Sequence, residues 1–120
     1  MTTTEKKPVT ITMSDRAPLR IDAEAWPVIA SALWFDGQIE VQANKKAWIK
    51  VREHEDGRLI VYGMYTSNWQ GARSLAGGFL LGSPVTEEGT VRALRRVAGV
   101  IEMPALADEC IGDLPAVELT

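Results

Sequence analysis

From Ala47 to Tyr65, apolar and polar side chains alternate through two runs joined by Asp56-Gly57, a pattern that predicts an antiparallel hairpin. In its first arm Ala47, Ile49 and Val51 share one face, and Trp48, Lys50 and Arg52 share the other. The second arm, Arg58 to Tyr65, is apolar on both faces, as a central strand covered on both sides would be. Upstream, Val9, Ile11 and Met13 alternate with threonines, and Leu19 and Ile21 form a second short strand after the turn Ser14-Asp15-Arg16-Ala17-Pro18. Asp22 is placed to cap a brief helix through Ala23, Glu24, Ala25 and Trp26, limited by Pro27.

Val28 to Phe35 fits both a helical face (Trp26, Ile29, Ala30, Leu33) and a strand. The Asp36-Gly37 hairpin signal, followed by alternation of Ile39, Val41 and Ala43, favours strands at 28–35 and 38–43. Gly71, Gly77 and Gly78 interrupt the stretch from Trp69 to Leu81, which reads as a loop ending in a short strand at Phe79, Leu80 and Leu81. Beyond Pro84 the pattern turns helical. Thr86 caps, Glu87 and Glu88 suit the positive helix end, and Val91, Leu94, Val97, Ala98 and Ile101 form one stripe. After Pro104 a short helix over 105–111 can bury Leu106, Cys110 and Ile111 before an extended end at 114–119. The expected fold is α+β: a mainly antiparallel sheet of about five strands, one long helix (about 86–101) packed on one face, and a short C-terminal helix.

At 120 residues, with no linker or repeat, the chain has the size of one domain, and about two thirds of its unfolded surface can be buried without a disulfide or metal staple. Met1 to Pro8 is polar and reads as a flexible N-terminus, with 9–120 as a single domain. Apolar residues at 46% and a net charge of -3 exclude disorder of the whole chain. A lone cysteine, Cys110, and the absence of an apolar leader in MTTTEKKPV point to a reducing cytoplasm. No apolar run approaches the ~18 residues of a membrane span, so no membrane partner is expected. Charge is uneven: Arg92, Arg95 and Arg96 sit together, whereas Glu102 to Thr120 holds five acids and no base. That tail is either a solvated acidic end or a screen for a basic face.

Catalytic chemistry finds little purchase. His54 is the only histidine, so a zinc site would need carboxylates to complete its ligands. Within Glu53-His54-Glu55-Asp56, strand alternation separates Glu53 and Glu55 from His54 and Asp56, and a solvated hairpin tip accounts for all four. Cys110, beside Ile111 and four residues after Leu106, fits a small core residue better than a thiolate nucleophile. Gly77-Gly78-Phe79-Leu80-Leu81-Gly82 lacks the Lys-Ser or Lys-Thr of a phosphate loop, and its glycines suit close backbone packing. No catalytic, cofactor-binding or metal residue is assigned, and no cofactor is expected.

Two binding classes remain. Four tryptophans in 120 residues are more than a core of this size needs, and Trp48, Tyr62, Met64 and Trp69 would form a patch on the sheet face away from the long helix. The opposing account is that the short terminal helix and the tail cover this face. A nucleic-acid interface is the alternative: Lys45, Lys46, Lys50 and Arg52 in the hairpin 45–58, extended by Arg92, Arg95 and Arg96, with Trp48 between cations as a stacking platform. Glu53, Glu55 and Asp56 in the same hairpin would cancel part of its counterion release. A homodimer burying one sheet face is a further possibility.

The stretches IDAEAWPVIA (Ile21 to Ala30), VREHEDGRLIVYG (Val51 to Gly63) and DECIGDLPAVEL (Asp108 to Leu119) resemble segments of small accessory proteins from proteobacterial mobile elements: phages, plasmids and integrative elements. The resemblance implies a context and no activity. Small cytosolic proteins of that kind bind and modulate a host or element protein, defence components included, or bind DNA. The expectation is therefore a non-enzymatic module with a protein partner on an exposed sheet face, and DNA or RNA binding as its alternative.

Overall fold

The computed structural model describes residues 8–68 and 73–115. The expected flexible start up to residue 7, Trp69, and the extended end past Pro115 lie outside the described residues. In chain order the elements are β1 (Pro8–Ile11), β2 (Leu19–Asp22), β3 (Val28–Phe35), β4 (Lys45–Glu53), β5 (Leu59–Ser67), β6 (Leu75–Leu81), α1 (Glu87–Val100) and α2 (Pro104–Asp113). The class is α+β, with two corrections to the expected layout. Among the described residues there are six strands in two antiparallel sheets, a β1-β2 hairpin and a β3-β4-β5-β6 meander, and two helices of 14 and 10 residues stand in place of one dominant helix.

Strand alternation organises three layers. Ala47, Ile49 and Val51 of β4, and Leu59 and Val61 of β5, face the helices and are buried with Leu94, Val97, Ile101, Leu106 and Cys110. On the reverse face Ile60 and Tyr62 are buried with Ile11, Met13 and Trp26 of the N-terminal segment. Both sides of β5 are covered, which is why its sequence reads as a nearly continuous apolar run. The cover on the reverse face is the β1-β2 hairpin, because α2 packs beside α1 on the helix side.

The sheet's two edges are tied down by distant side chains. At β6, Ser14 N–H donates to the Gly78 carbonyl (2.9 Å) and Gly78 N–H donates to Ser14 Oγ (3.1 Å). At β3, Ser31 N–H donates to Asp113 Oδ2 at the end of α2 (2.9 Å). Exposed strand edges template further pairing, and these bonds occupy part of each.

Val28–Phe35 is a strand, as expected. Three local expectations fail for identifiable reasons. Ala23 to Trp26 is a turn: Asp22 takes the Glu24 N–H on its carboxylate and the Ala25 and Trp26 N–H groups on its carbonyl, and Pro27 stops propagation. Residues 38–43 hold a 3-10 turn (Glu40–Gln42) in place of a strand, because Asp36 Oδ1 accepts from both Asn44 and Lys45 N–H and closes the loop without a ladder. Finally, β6 starts at Leu75 and runs straight through Gly77 and Gly78. These glycines mark close approach: a Cβ at Gly77 would lie 2.9 Å from Val100 Cγ1, and one at Gly78 would lie 3.0 Å from the Thr12 carbonyl.

Thr86 caps α1 as expected, its Oγ1 accepting from Gly89 N–H at 2.9 Å. The helix ends in a reciprocal pair of bonds, Met103 N–H to the Ala98 carbonyl and Glu102 N–H to the Gly99 carbonyl, with Glu102 at φ 59°. This is the left-handed stop in which glycine is usual, here occupied by glutamate. The sharp turn sets α2 against α1 and brings Leu106, Ala107 and Cys110 into the core.

Candidate functional site

The β1-β2 hairpin divides the reverse face of the sheet into a covered half and an open half. Over β5 and β6, Val9, Leu19 and Ile21 seal Ile60, Tyr62 and Leu80. Arg52 locks the boundary: its Nε–H donates to the Tyr62 hydroxyl (2.7 Å) and its Nη1 to the Trp26 carbonyl (2.8 Å). A charged donor shared between two such acceptors is among the stronger hydrogen-bonding arrangements. Trp26 is sandwiched further, with Arg58 5.1 Å from its ring centre and the His54 ring at 4.9 Å.

Over β3 and the neighbouring part of β4 no described element covers the face. Register places Leu33 opposite Trp48, Phe35 opposite Lys46, and Met64 of β5 on the far side of Trp48. Leu33 is 43% exposed, while Phe35, Trp48 and Met64 are half-buried. Trp48 stands edge-on to Tyr62, centroids 5.3 Å apart at 84°, and Lys50 Nζ lies 4.8 Å from its ring centre. Lys46 pairs with Glu40 in the loop after Phe35, and that loop also projects Ile39 and Val41, the latter 90% exposed. The result is an apolar strip with a held indole at its centre and lysines along its rim.

Of the expected patch, Trp48 and Met64 lie together on this strip. Tyr62 is only 5% exposed; the β1-β2 hairpin covers its ring and Arg52 donates to its hydroxyl, so it buttresses Trp48 from the side rather than offering surface. Trp69 lies outside the described residues. Leu33 and Phe35 were absent from the expected patch. The signal that finds them is the β3-β4 register, which sequence alone did not specify.

The cations of the alternative interface divide between the two sides of the sheet. Lys46, Lys50 and Arg52 point to the reverse face, whereas Lys45 shares the parity of Ala47 on the helix side. Lys46 is ion-paired and Arg52 is turned inward to neutral acceptors. Arg92, Arg95 and Arg96 sit on α1, across the sheet: Arg92 pairs with Glu88 (3.2 Å), Arg95 with Asp108 (3.2 Å), and Arg96 lies 4.3 Å from the Phe79 ring centre.

The reactive candidates are engaged in structure. Burial, then the Asp113 carboxylate, pushes the Cys110 thiol up to about 11, so it is protonated at neutral pH. Asp56 is held below the usual carboxylate range, first by the Arg58 N–H on Oδ1 (3.0 Å) and also by Arg58 Nε on Oδ2 (2.8 Å). His54 Nδ1 accepts from the Asp56 N–H (3.2 Å), which closes the β4-β5 turn together with Gly57 at φ 94°. Among the described residues no three His, Cys, Asp or Glu side chains group closely enough to hold a metal ion. Among them, too, no helix is long and apolar enough to cross a membrane.

Compared with protein-family models, with curated proteins and with solved structures, the chain matches none, so the site's geometry carries the functional argument.

Proposed function

We propose that the chain is a non-enzymatic interaction module, a small accessory protein of the cytoplasm that modulates a protein partner by occupying one of its surfaces with the open half of the reverse sheet face. The observation that carries this reading is the Leu33-Trp48 pair on the half of the sheet that the hairpin leaves open. Trp48 is held by the edge contact with Tyr62 beside it, so little side-chain freedom is lost when a partner covers it. Tryptophan in such a position is the residue type that dominates interface energetics. Lys50 on the rim, beside the Trp48 ring, favours a partner presenting an apolar knob with a carboxylate at its edge. The resemblance to accessory proteins of mobile elements agrees with a binder of this kind.

A photo-crosslinking residue placed at Leu33, with the same residue at Gly99 on the helix side as control, tests the proposal in lysate with and without nuclease and at high salt. The expected result is a discrete protein adduct from position 33 alone, lost with Trp48→Ser. Adducts of nucleic acid that vanish with nuclease, or identical protein adducts from both positions, would overturn it.

A further inference from the structure

A concavity lies on the helix side, where the start of β5, the end of β4, the N-terminus of α1 and the end of α2 converge. It is a cleft of about 620 Å³ with apolar walls formed by Ile29, Leu59, Val85, Ile111 and Leu114. That volume falls inside the range of about 300–1,000 Å³ typical of small-molecule sites. The core beneath it is closed, since Leu59 and Thr90 are buried and the Thr90 hydroxyl is satisfied by the Thr86 carbonyl at 3.0 Å. The cleft is therefore a surface feature with a finished floor.

Its charge is one-sided. Among the described residues Glu53 and Glu87 are the ionisable side chains that line it, both exposed, and no described lysine, arginine or histidine does. Neither carboxylate forms an ion pair among the described residues, in contrast to Glu40, Glu88 and Asp108 elsewhere on the surface. The positive end of α1 contributes only about half an elementary charge of opposite sign, and the Thr86 cap already satisfies the Gly89 N–H there. Two full negative charges outweigh it, so an anionic occupant is disfavoured and a cationic one is drawn in.

We propose that this cleft binds a small organic cation, its apolar body seated against Leu59, Val85, Ile111 and Leu114 and its cationic nitrogen held by Glu53 and Glu87. The division of labour is that of ligand sites in general: apolar walls supply most of the affinity and a few polar groups fix orientation and sign. The site is independent of the Leu33-Trp48 strip, which lies on the reverse face of the sheet.

The test titrates the full chain, followed by amide chemical shifts, with three probes of one shape: cyclohexylmethylammonium, cyclohexylmethanol and cyclohexanecarboxylate. The ammonium probe is expected to shift the amides of Glu53, Thr86 and Thr90 and to bind about tenfold more tightly than the alcohol, with the carboxylate weakest. Glu53→Gln with Glu87→Gln should lower ammonium affinity about tenfold, to that of the alcohol, and leave the alcohol unchanged. Both acids are exposed, and the dispersion of the same spectra reports the fold. Equal binding of the three probes, shifts confined to other residues, or a charge preference that survives the double substitution would overturn the proposal.

Discussion

Gly63 lies in the middle of β5, opposite Ile49 of β4 and Gly77 of β6, under α1. A Cβ there would stand 2.7 Å from the Trp48 carbonyl oxygen, 3.0 Å from Val97 Cγ1 and 3.1 Å from Ile49 Cγ1. The first distance decides the outcome, because that oxygen belongs to the central ladder and cannot swing away as a side chain can. Gly63→Ala must therefore spread β4 from β5 or lift α1. Overpacking of this kind costs about 1–3 kcal/mol, against which the stiffer unfolded chain returns about 0.4–1 kcal/mol, so a net loss of about 1–2 kcal/mol is expected. Gly99→Ala in α1 is the matched control, since its Cβ meets nothing within 4 Å. It should stabilise by about 0.5–1 kcal/mol through helix propensity. Urea unfolding followed by far-ultraviolet circular dichroism reads both midpoints. A Gly63→Ala midpoint equal to or above that of the unchanged chain would refute the claim that the missing side chain at Gly63 is what lets β4 and α1 approach β5 this closely.

Two further outcomes follow from the backbone and the core. Glu102 holds the left-handed stop of α1 at φ 59°, so Glu102→Gly should raise stability by about 1 kcal/mol in thermal melts, whereas Glu102→Val should lower it. Cys110 has its folded-state ionisation raised from 9.0 to about 11, so the folded chain keeps a proton that the unfolded chain releases between those pH values. The associated stability is complete below pH 9 and is lost as pH rises toward 11, by roughly 2–3 kcal/mol relative to Cys110→Ala. Paired urea titrations at pH 8 and pH 10.5 check the sign, and a Cys110→Ala variant that loses as much as the unchanged chain would refute it.

What the sequence determined by itself is whatever a local period encodes. The two-residue alternation through Ala47–Val51 and the dense apolar run of Leu59–Tyr62 identified β4, β5 and their faces, and the helical stripe after Thr86 identified α1 with its cap. Tertiary structure decided everything that depends on which faces meet. Gly77 and Gly78 are locally indistinguishable from loop glycines, and only the approach of Val100 and Thr12 shows why a strand needs them. The alternation of Ile39 and Val41 was overridden by one carboxylate, Asp36, that closed the loop. Trp48 was legible as a face residue, but Leu33 reached its side through the β3-β4 register, and Tyr62 lost its exposure to a hairpin some forty residues earlier in the chain. Periodicity assigns a side chain to a face of its own element; whether that face meets water, a hairpin or a helix is set by packing between segments far apart in sequence, such as Ser31 and Asp113.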